Sequence, residues 1–337
     1  MPQANLMLPA NDIESILRFA RDLDYYAMHD KLSLECPADM FFSPFSMLFI
    51  AAKLKAFRAK NKGVKIEFKN AHHHAYPAHM GFFRMFDVDH GRDVGEAWGG
   101  ENYLPITRLE RSSFYEGPED SNSELQDLID RHAEKLAAMI ARDAEKNEDM
   151  FDTLTFAIRE VMRNVFEHSK AAELYYCAAY WPKSGKVEFA IVDFGVGIRE
   201  GLSENPNFRF KTDKEAIEAS LLPSVSGKTH LPRMSERWFN SGYGLYMTNR
   251  LARHGGNFVL ASGQKAIHFS QKNKNNYDTS FPGTALRFNF DIAQIGPLRK
   301  RLAQFKTEGH EIAKTISGSG NRPPSAMSLL LRRDFGV

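Results

Sequence analysis

The stretch Asp152–Ser169 reads DTLTFAIREVMRNVFEHS. Leu154, Ile158, Val161 and Val165 recur at 4-3-4 spacing, which predicts one helix over 152–169 with a buried stripe, capped at its start by Asp152 or Thr153. Beside that stripe stand Glu160, Asn164 and His168, each four residues apart. Four residues only slightly overshoot a helical turn, so the three form one drifting row, about 100° from the apolar one. Such a row is either a solvated flank or the wall of a pocket. In a pocket it offers a candidate general base, a neutral oxygen ligand for a hard cation, and a hydrogen-bonding imidazole.

The residues that follow bear on that choice. AELYYCAAYW, the turn Pro182-Lys183-Ser184-Gly185 and VEFAIVD predict a β-hairpin. Its second strand ends in Asp193-Phe194-Gly195-Val196-Gly197-Ile198, where an acceptor-only carboxylate stands at a strand end and two glycines let a flat ligand approach the backbone. From Arg199 to Asn240 the chain is irregular, with one short helix announced by the capping box Thr212-Asp213-Lys214-Glu215 and stopped by Pro223. A segment of that length with so little structure is expected to act as a lid. Gly227-Lys228-Thr229 is not a P-loop, because Leu222 stands where that motif requires glycine and no strand precedes it. Ser241-Gly242-Tyr243-Gly244-Leu245 opens a further helix that closes at His254-Gly255-Gly256, and backbone N–H groups at such an N-terminus suit phosphate. Strands are expected at 258–262 and 284–290, the latter introduced by Pro282-Gly283-Thr284.

In this order, ExxxNxxxH, DxGxGI, GxGL and GT make residues 152–291 resemble the GHKL superfamily of ATPases, which includes gyrase-type topoisomerases, heat-shock chaperones, histidine kinases and mismatch-repair ATPases. The resemblance implies a Bergerat-type fold: a two-layer α/β sandwich with a mixed sheet, holding ATP and Mg²⁺ beneath a lid. It further implies that Asn164 coordinates Mg²⁺, that Asp193 reads the adenine, and that Gly195, Gly197 and Ile198 let the base approach. Ser241, Gly242, Tyr243, Gly244 and Leu245 would cradle the phosphates, Thr284 would support Asp193, and Glu160 would be the general base. Histidine kinases commonly have asparagine at that last position, so Glu160 together with His168 is most similar to the anti-sigma-factor serine kinases.

Upstream, 12–28 predicts an amphipathic helix with Ile13, Ile16, Leu17, Ala20 and Leu23 on one face, followed by a strand at 32–35. Ser43-Pro44 is a helix-start signature for a helix running to about Lys60 and stopped at Asn61-Lys62-Gly63, ahead of the strand VKIEF. His72, His73, His74 and His79 lack acidic or cysteine partners at ligand spacing, so a histidine-rich loop is expected there, not a metal site. A loop follows over 87–100, then a last strand near Leu104. Residues 32–86 distantly resemble a STAS-type module, but Phe42-Ser43-Pro44-Phe45 replaces the phosphorylated serine motif of that family. Ser43 is better read as a cap.

The expected organisation is therefore a STAS-like α/β module over 1–115, a linker (111–121 at its heart) and connecting helix over 116–150, the ATP-binding domain over 151–292, and a C-terminal helix (293–305) and basic tail over 293–337. The connecting helix, about 123–148, offers a seam for a homodimer. His132 on it lacks the sequence context of a histidine-kinase phosphoacceptor. Forty-four basic against 42 acidic residues leave a net charge of +2, which argues against a nucleic-acid surface. Cys36 and Cys177 build no disulfide framework, no secretory signal opens the chain, and the longest apolar run, 45–52, is too short to span a bilayer, so a cytoplasmic location is expected. The functions in view are an Mg²⁺-dependent ATPase or protein serine/threonine kinase acting on a regulatory protein partner, and an ATP-gated switch with little turnover. An orthodox sensor histidine kinase ranks below both.

Overall fold

The computed structural model describes residues 3–38, 40–97, 100, 102–114, 122–141, 148–230, 241–270, 273–294 and 297–319. In chain order these carry β1 (Gln3–Met7), α1 (Ile13–Leu23), β2 (Lys31–Glu35), α2 (Pro44–Lys60), β3 (Lys65–Lys69), α3 (Ala75–His79) and β4 (Tyr103–Glu110). There follow α4 (Asn122–Ile140), α5 (Glu148–Asn164) with a π turn at Val165–Ser169, β5 (Glu173–Trp181), β6 (Lys186–Asp193), α6 (Gly197–Ser203) and α7 (Asp213–Ser220). Last come α8 (Gly244–Gly255), β7 (Gly256–Phe269), β8 (Lys274–Asp291) and α9 (Leu298–Thr315). Among the described residues the strands form two sheets: a parallel one ordered β1-β2-β3, and an antiparallel one ordered β4-β5-β6-β8-β7. The sheet behind the candidate site is thus wholly antiparallel in its described pairs, where the sequence reading expects a mixed one.

The N-terminal unit follows from its caps. Asp12 accepts from the Ser15 N–H at the start of α1, and Ser43 accepts from the Ser46 N–H at the start of α2, one residue before Pro44. Helix α2 is apolar around its whole circumference, with Phe45, Met47, Leu48, Phe49, Ile50, Ala51, Ala52 and Leu54 all buried. A helix of that kind must be covered on every side. It is covered by the parallel sheet and by the antiparallel sheet, so the longest apolar run of the chain is the middle of a sandwich.

Period-two alternation gives the antiparallel sheet two buried faces. Leu174, Tyr176, Ala178, Phe189 and Ile191 pack with Ile129, Ala133, Ile158 and Met162 of α4 and α5. Tyr175, Cys177, Ala190 and Val192 pack with α1 and α2. Polar contacts join the two halves at this second face. The Phe45 N–H donates to Glu188 Oε1 (2.9 Å), the Cys177 thiol donates to the Pro44 carbonyl (3.1 Å), and the Thr279 hydroxyl donates to the Leu17 carbonyl (3.0 Å). Burial pushes the Glu188 carboxyl up. Arg287, 2.6 Å from its other oxygen, outweighs that and holds it below the ordinary glutamate value.

Several sequence expectations are corrected here. The strand at 103–110 does not close the N-terminal unit but pairs with β5 at the edge of the antiparallel sheet, and the N-terminal unit shares a core with that sheet instead of being tethered through a helix alone. The connecting helix ends at Ile140, and the next begins at Glu148, so Asp152 and Thr153 are buried interior residues of α5, not caps. The π turn ends α5 before Ser169. The expected 12–28 helix is α1 followed by a 3-10 turn. The β7–β8 hairpin is much longer than the two predicted strands, and α9 starts later and runs further than 293–305. Instead of one loop, His72 and His73 stand in a 3-10 turn, His74 between it and α3, and His79 at the end of α3; no described cluster of His, Cys, Asp or Glu could hold a metal. No helix of the described residues is long and apolar enough to cross a membrane. The expected linker residues 115–121 and the tail 320–337 lie outside the described residues.

Candidate functional site

One cavity lies between α5, the end of β6, interior residues of β7 and β8, α6, residues 220–227 and the N-terminus of α8, with an empty volume of about 990 Å³, part of it open to solvent. Ligand sites of this type are mostly apolar with a few converging polar groups. Here Val161, Ile191, Ile198, Leu202, Leu245, Leu260 and Leu286 supply the apolar wall, and Glu160, Arg163, Asn164, Glu167, His168, Ser169, Asp193 and Thr284 the polar one. Glu160, Asn164 and His168 all line it, so the row on α5 faces a pocket and not solvent.

At one end stands Asp193, the last residue of β6, 1% exposed. Burial pushes its carboxyl up to about 6, against hydrogen bonds from the Gly195 N–H (2.8 Å), the Ser169 hydroxyl and the Thr284 backbone. Thr284 pairs with Asp193 across the sheet. Gly195 is not on the cavity wall. Its Cα faces the Ser169 carbonyl, which a Cβ would meet at 2.0 Å, so glycine here lets the β6–α6 turn close on the end of α5. The Val196 N–H donates to that same carbonyl (2.8 Å). Gly197, at φ +77, opens α6 directly, a helix the sequence reading lacked; the next N–H, of Ile198, donates to Ser262 Oγ (3.0 Å), whose hydroxyl donates to the Gly283 carbonyl (2.8 Å). Ser169 and Ser262 thus brace the glycine turn, and neither belongs to a recognisable motif.

Along α5 the charges are denser than the row suggested. Glu160, 3% exposed, accepts at Oε1 from Arg163 (3.2 Å) and Arg159 (3.3 Å). Its Oε2 lies over Gly244, where a Cβ would sit 2.2 Å away, so the carboxylate rests at the first turn of α8. Arg163 also donates to Glu167 (3.1 Å). Burial raises the Glu167 carboxyl, but Arg163, His168 and Lys228 together hold it below the usual range. Asp130 of α4 stands 3.7 Å from Arg159, and burial pushes its carboxyl up to about 6 against the pull of Arg159 and Arg163. His168 is held neutral by burial, down to about 4. Asn164 keeps a buried Nδ2 with no hydrogen-bond partner. An unpartnered amide on a cavity wall fits a ligand, and its oxygen and nitrogen can exchange places by a flip.

The cover is built from 220–227. Gly227 faces the Gly201 carbonyl of α6, which a Cβ would meet at 2.1 Å, and Gly242, at φ +71, is packed against the Val225 backbone. Lys228 donates to the Glu167 carbonyl (2.6 Å) at the π turn, and Asn205 ties Ser226 and Thr229 together. The GKT triplet is therefore part of the cover, though not a P-loop. Residues 231–240 of the expected lid lie outside the described residues. Ser241, Gly242, Gly244 and Leu245 line the cavity. Tyr243 does not. Its ring is fully buried on the far side with Phe156, Met247 and Leu302.

Asn164 offers a hard cation one neutral amide oxygen, which is enough only when a ligand brings oxygens of its own. The α8 N-terminus and Arg163 suit the negative part of such a ligand, and the Asp193 carboxylate suits an N–H donor at the opposite end. Comparison with protein-family models, with curated proteins and with solved structures finds no match for this chain.

Proposed function

We propose that the cavity binds ATP as its Mg²⁺ complex, in a Bergerat-type domain of the GHKL kind, and that the protein hydrolyses ATP or phosphorylates a protein partner. The observation that carries this reading is convergence. Four short motifs, each common by itself, put Glu160, Asn164, Asp193, Gly244 and Thr284 on the wall of one cavity. In this reading Asp193 accepts from the exocyclic amine of the base, supported by Thr284 and Ser169. Asn164 turns its amide oxygen to Mg²⁺, which would neutralise charge on the phosphates. The first turn of α8 offers its N–H groups to those phosphates. Glu160 takes at Oε1 or Oε2 the proton of an attacking water or of a partner's hydroxyl, a role worth about 10²–10⁴-fold in rate.

The two guanidiniums on Glu160 favour a second reading. A carboxylate oxygen already held by Arg159 and Arg163 is tied down in ion pairs instead of free to meet an attacking water, so the site would also serve an ATP-gated switch with little turnover. Incubation with γ-labelled ATP, followed by separation of free phosphate from labelled protein, distinguishes the two. The enzyme reading predicts turnover that falls about a hundredfold or more in Glu160→Ala while ATP affinity stays within a few-fold. Equal, negligible turnover in both proteins, with ATP bound, assigns the switch.

A further inference from the structure

The candidate base is not isolated on its helix. Asp130, on α4, lies behind it and lines no part of the cavity. Its carboxylate is 4% exposed, and Oδ1 accepts no hydrogen bond although it lies only 3.7 Å from Arg159. Arg159 is 1% exposed and donates its Nη2 to Glu160 Oε1. Two guanidiniums and two carboxylates, Asp130 and Glu160, are therefore enclosed together. Around them stand Glu134 on α4, Glu167 on α5, Lys228 of the cover and the α8 N-terminus beyond Glu160. In such an enclosure an unmatched charge costs more than the pair contributes, so each group's position depends on the others' charges.

We propose that Asp130 is a positioning residue for Glu160: by sharing Arg159 it limits that guanidinium's hold on the Glu160 carboxylate, and thereby makes α4 the element through which the rest of the protein adjusts the site. With Asp130 charged, Arg159 is divided between two carboxylates. With Asp130 neutral, Glu160 is the nearer acceptor and is drawn away from Gly244 toward Arg159. A shift of α4 by under an ångström would turn the 3.7 Å approach into a hydrogen bond and release Glu160 in the opposite sense. The catalytic consequence rests on the ATP reading above; the coupling among Asp130, Arg159 and Glu160 does not.

The test is Asp130→Asn, read in two ways. In nucleotide-free protein carrying Glu labelled at the side-chain carboxyl carbon, with the Glu160 signal assigned through Glu160→Gln, the Asn variant is expected to move the Glu160 resonance and to slow exchange of the Arg159 side-chain N–H groups. In ATP turnover it is expected to lower kcat about tenfold, part of what a positioned base supplies, with KM unchanged. Asp130→Glu keeps the charge, and its longer side chain closes the gap to Arg159, so it is expected to move the Glu160 resonance and the Arg159 N–H signals in the sense opposite to the Asn variant. It also serves if the Asn variant does not fold. A Glu160 resonance and Arg159 exchange unchanged in every folded variant overturn the proposal, whatever ATP does. A moved resonance with no turnover in wild type leaves the coupling standing and removes the enzyme reading instead.

Discussion

Asp193 concentrates the chemistry of the site in one carboxylate. Its folded value of about 6 lies above the ordinary 3.8, so the folded protein takes up this proton more readily than the unfolded chain. The cost of the buried charge is absent below about 3.8 and grows as pH rises through 6. Asp193→Asn removes it while keeping an acceptor for the Gly195 N–H, and is expected to stabilise the protein at pH 7 by on the order of 1–3 kcal/mol in denaturant unfolding. If Asp193 reads the base, nucleotide affinity measured by calorimetry is expected to fall between pH 7 and pH 5 in the wild type, because only the ionised form accepts at full strength, and the same change should abolish that pH dependence. An unfolding free energy that falls in the Asn variant would place the charge in a better-compensated setting than its burial indicates. Asp193 was legible only in company: a glycine turn after a strand is common, and it is the order of the four motifs that singles this carboxylate out. Ser169 and Ser262 were not, since a serine that braces a turn from a distant strand leaves no local pattern.

Among the elements, the contact between the cover and α8 is the one that sequence alone could not place. Gly242, at φ +71, abuts the Val225 backbone, and a Cβ there would stand 2.7 Å from its nitrogen. Gly242→Ala meets both strain and a clash, and is expected to cost roughly 1–2 kcal/mol or more and to speed hydrogen exchange over 224–230. Lys228→Met, which removes the 2.6 Å bond to the Glu167 carbonyl, is expected to speed exchange over the same residues while leaving α5 protected. Uniform exchange across both elements would mean that the cover and α5 open as one unit. Helix α5 itself was legible from its 4-3-4 stripe. Its π turn was not, and neither was the role of Arg159 and Arg163, which no motif singles out. Periodicity reports which face is apolar; it does not report that a second layer will bury the polar one.

At the scale of the molecule, the N-terminal unit and the candidate ATP-binding domain share a core. The sequence showed the Ser43-Pro44 start and the apolar run after it, but a helix apolar on all sides does not reveal that its second cover is a sheet built more than a hundred residues later. Glu188 is the polar joint of that core, taking the Phe45 N–H and Arg287 at once. Glu188→Ala leaves both unmatched, so it is expected to cost about 3–5 kcal/mol. Thermal unfolding should be a single transition, lowered as a whole; two transitions, only one of them shifted, would show that the halves fold apart. This shared core holds the cavity for which we propose adenine recognition through Asp193. The most direct test is a competition titration of Mg·ATP against Mg·GTP on the wild-type chain. GTP would bring an oxygen to the buried carboxylate where ATP brings an amine, and an unmatched acceptor there costs roughly 1–3 kcal/mol, so ATP is predicted to bind about ten- to a hundredfold tighter. Equal affinities for the two nucleotides, or binding of neither, would contradict the account.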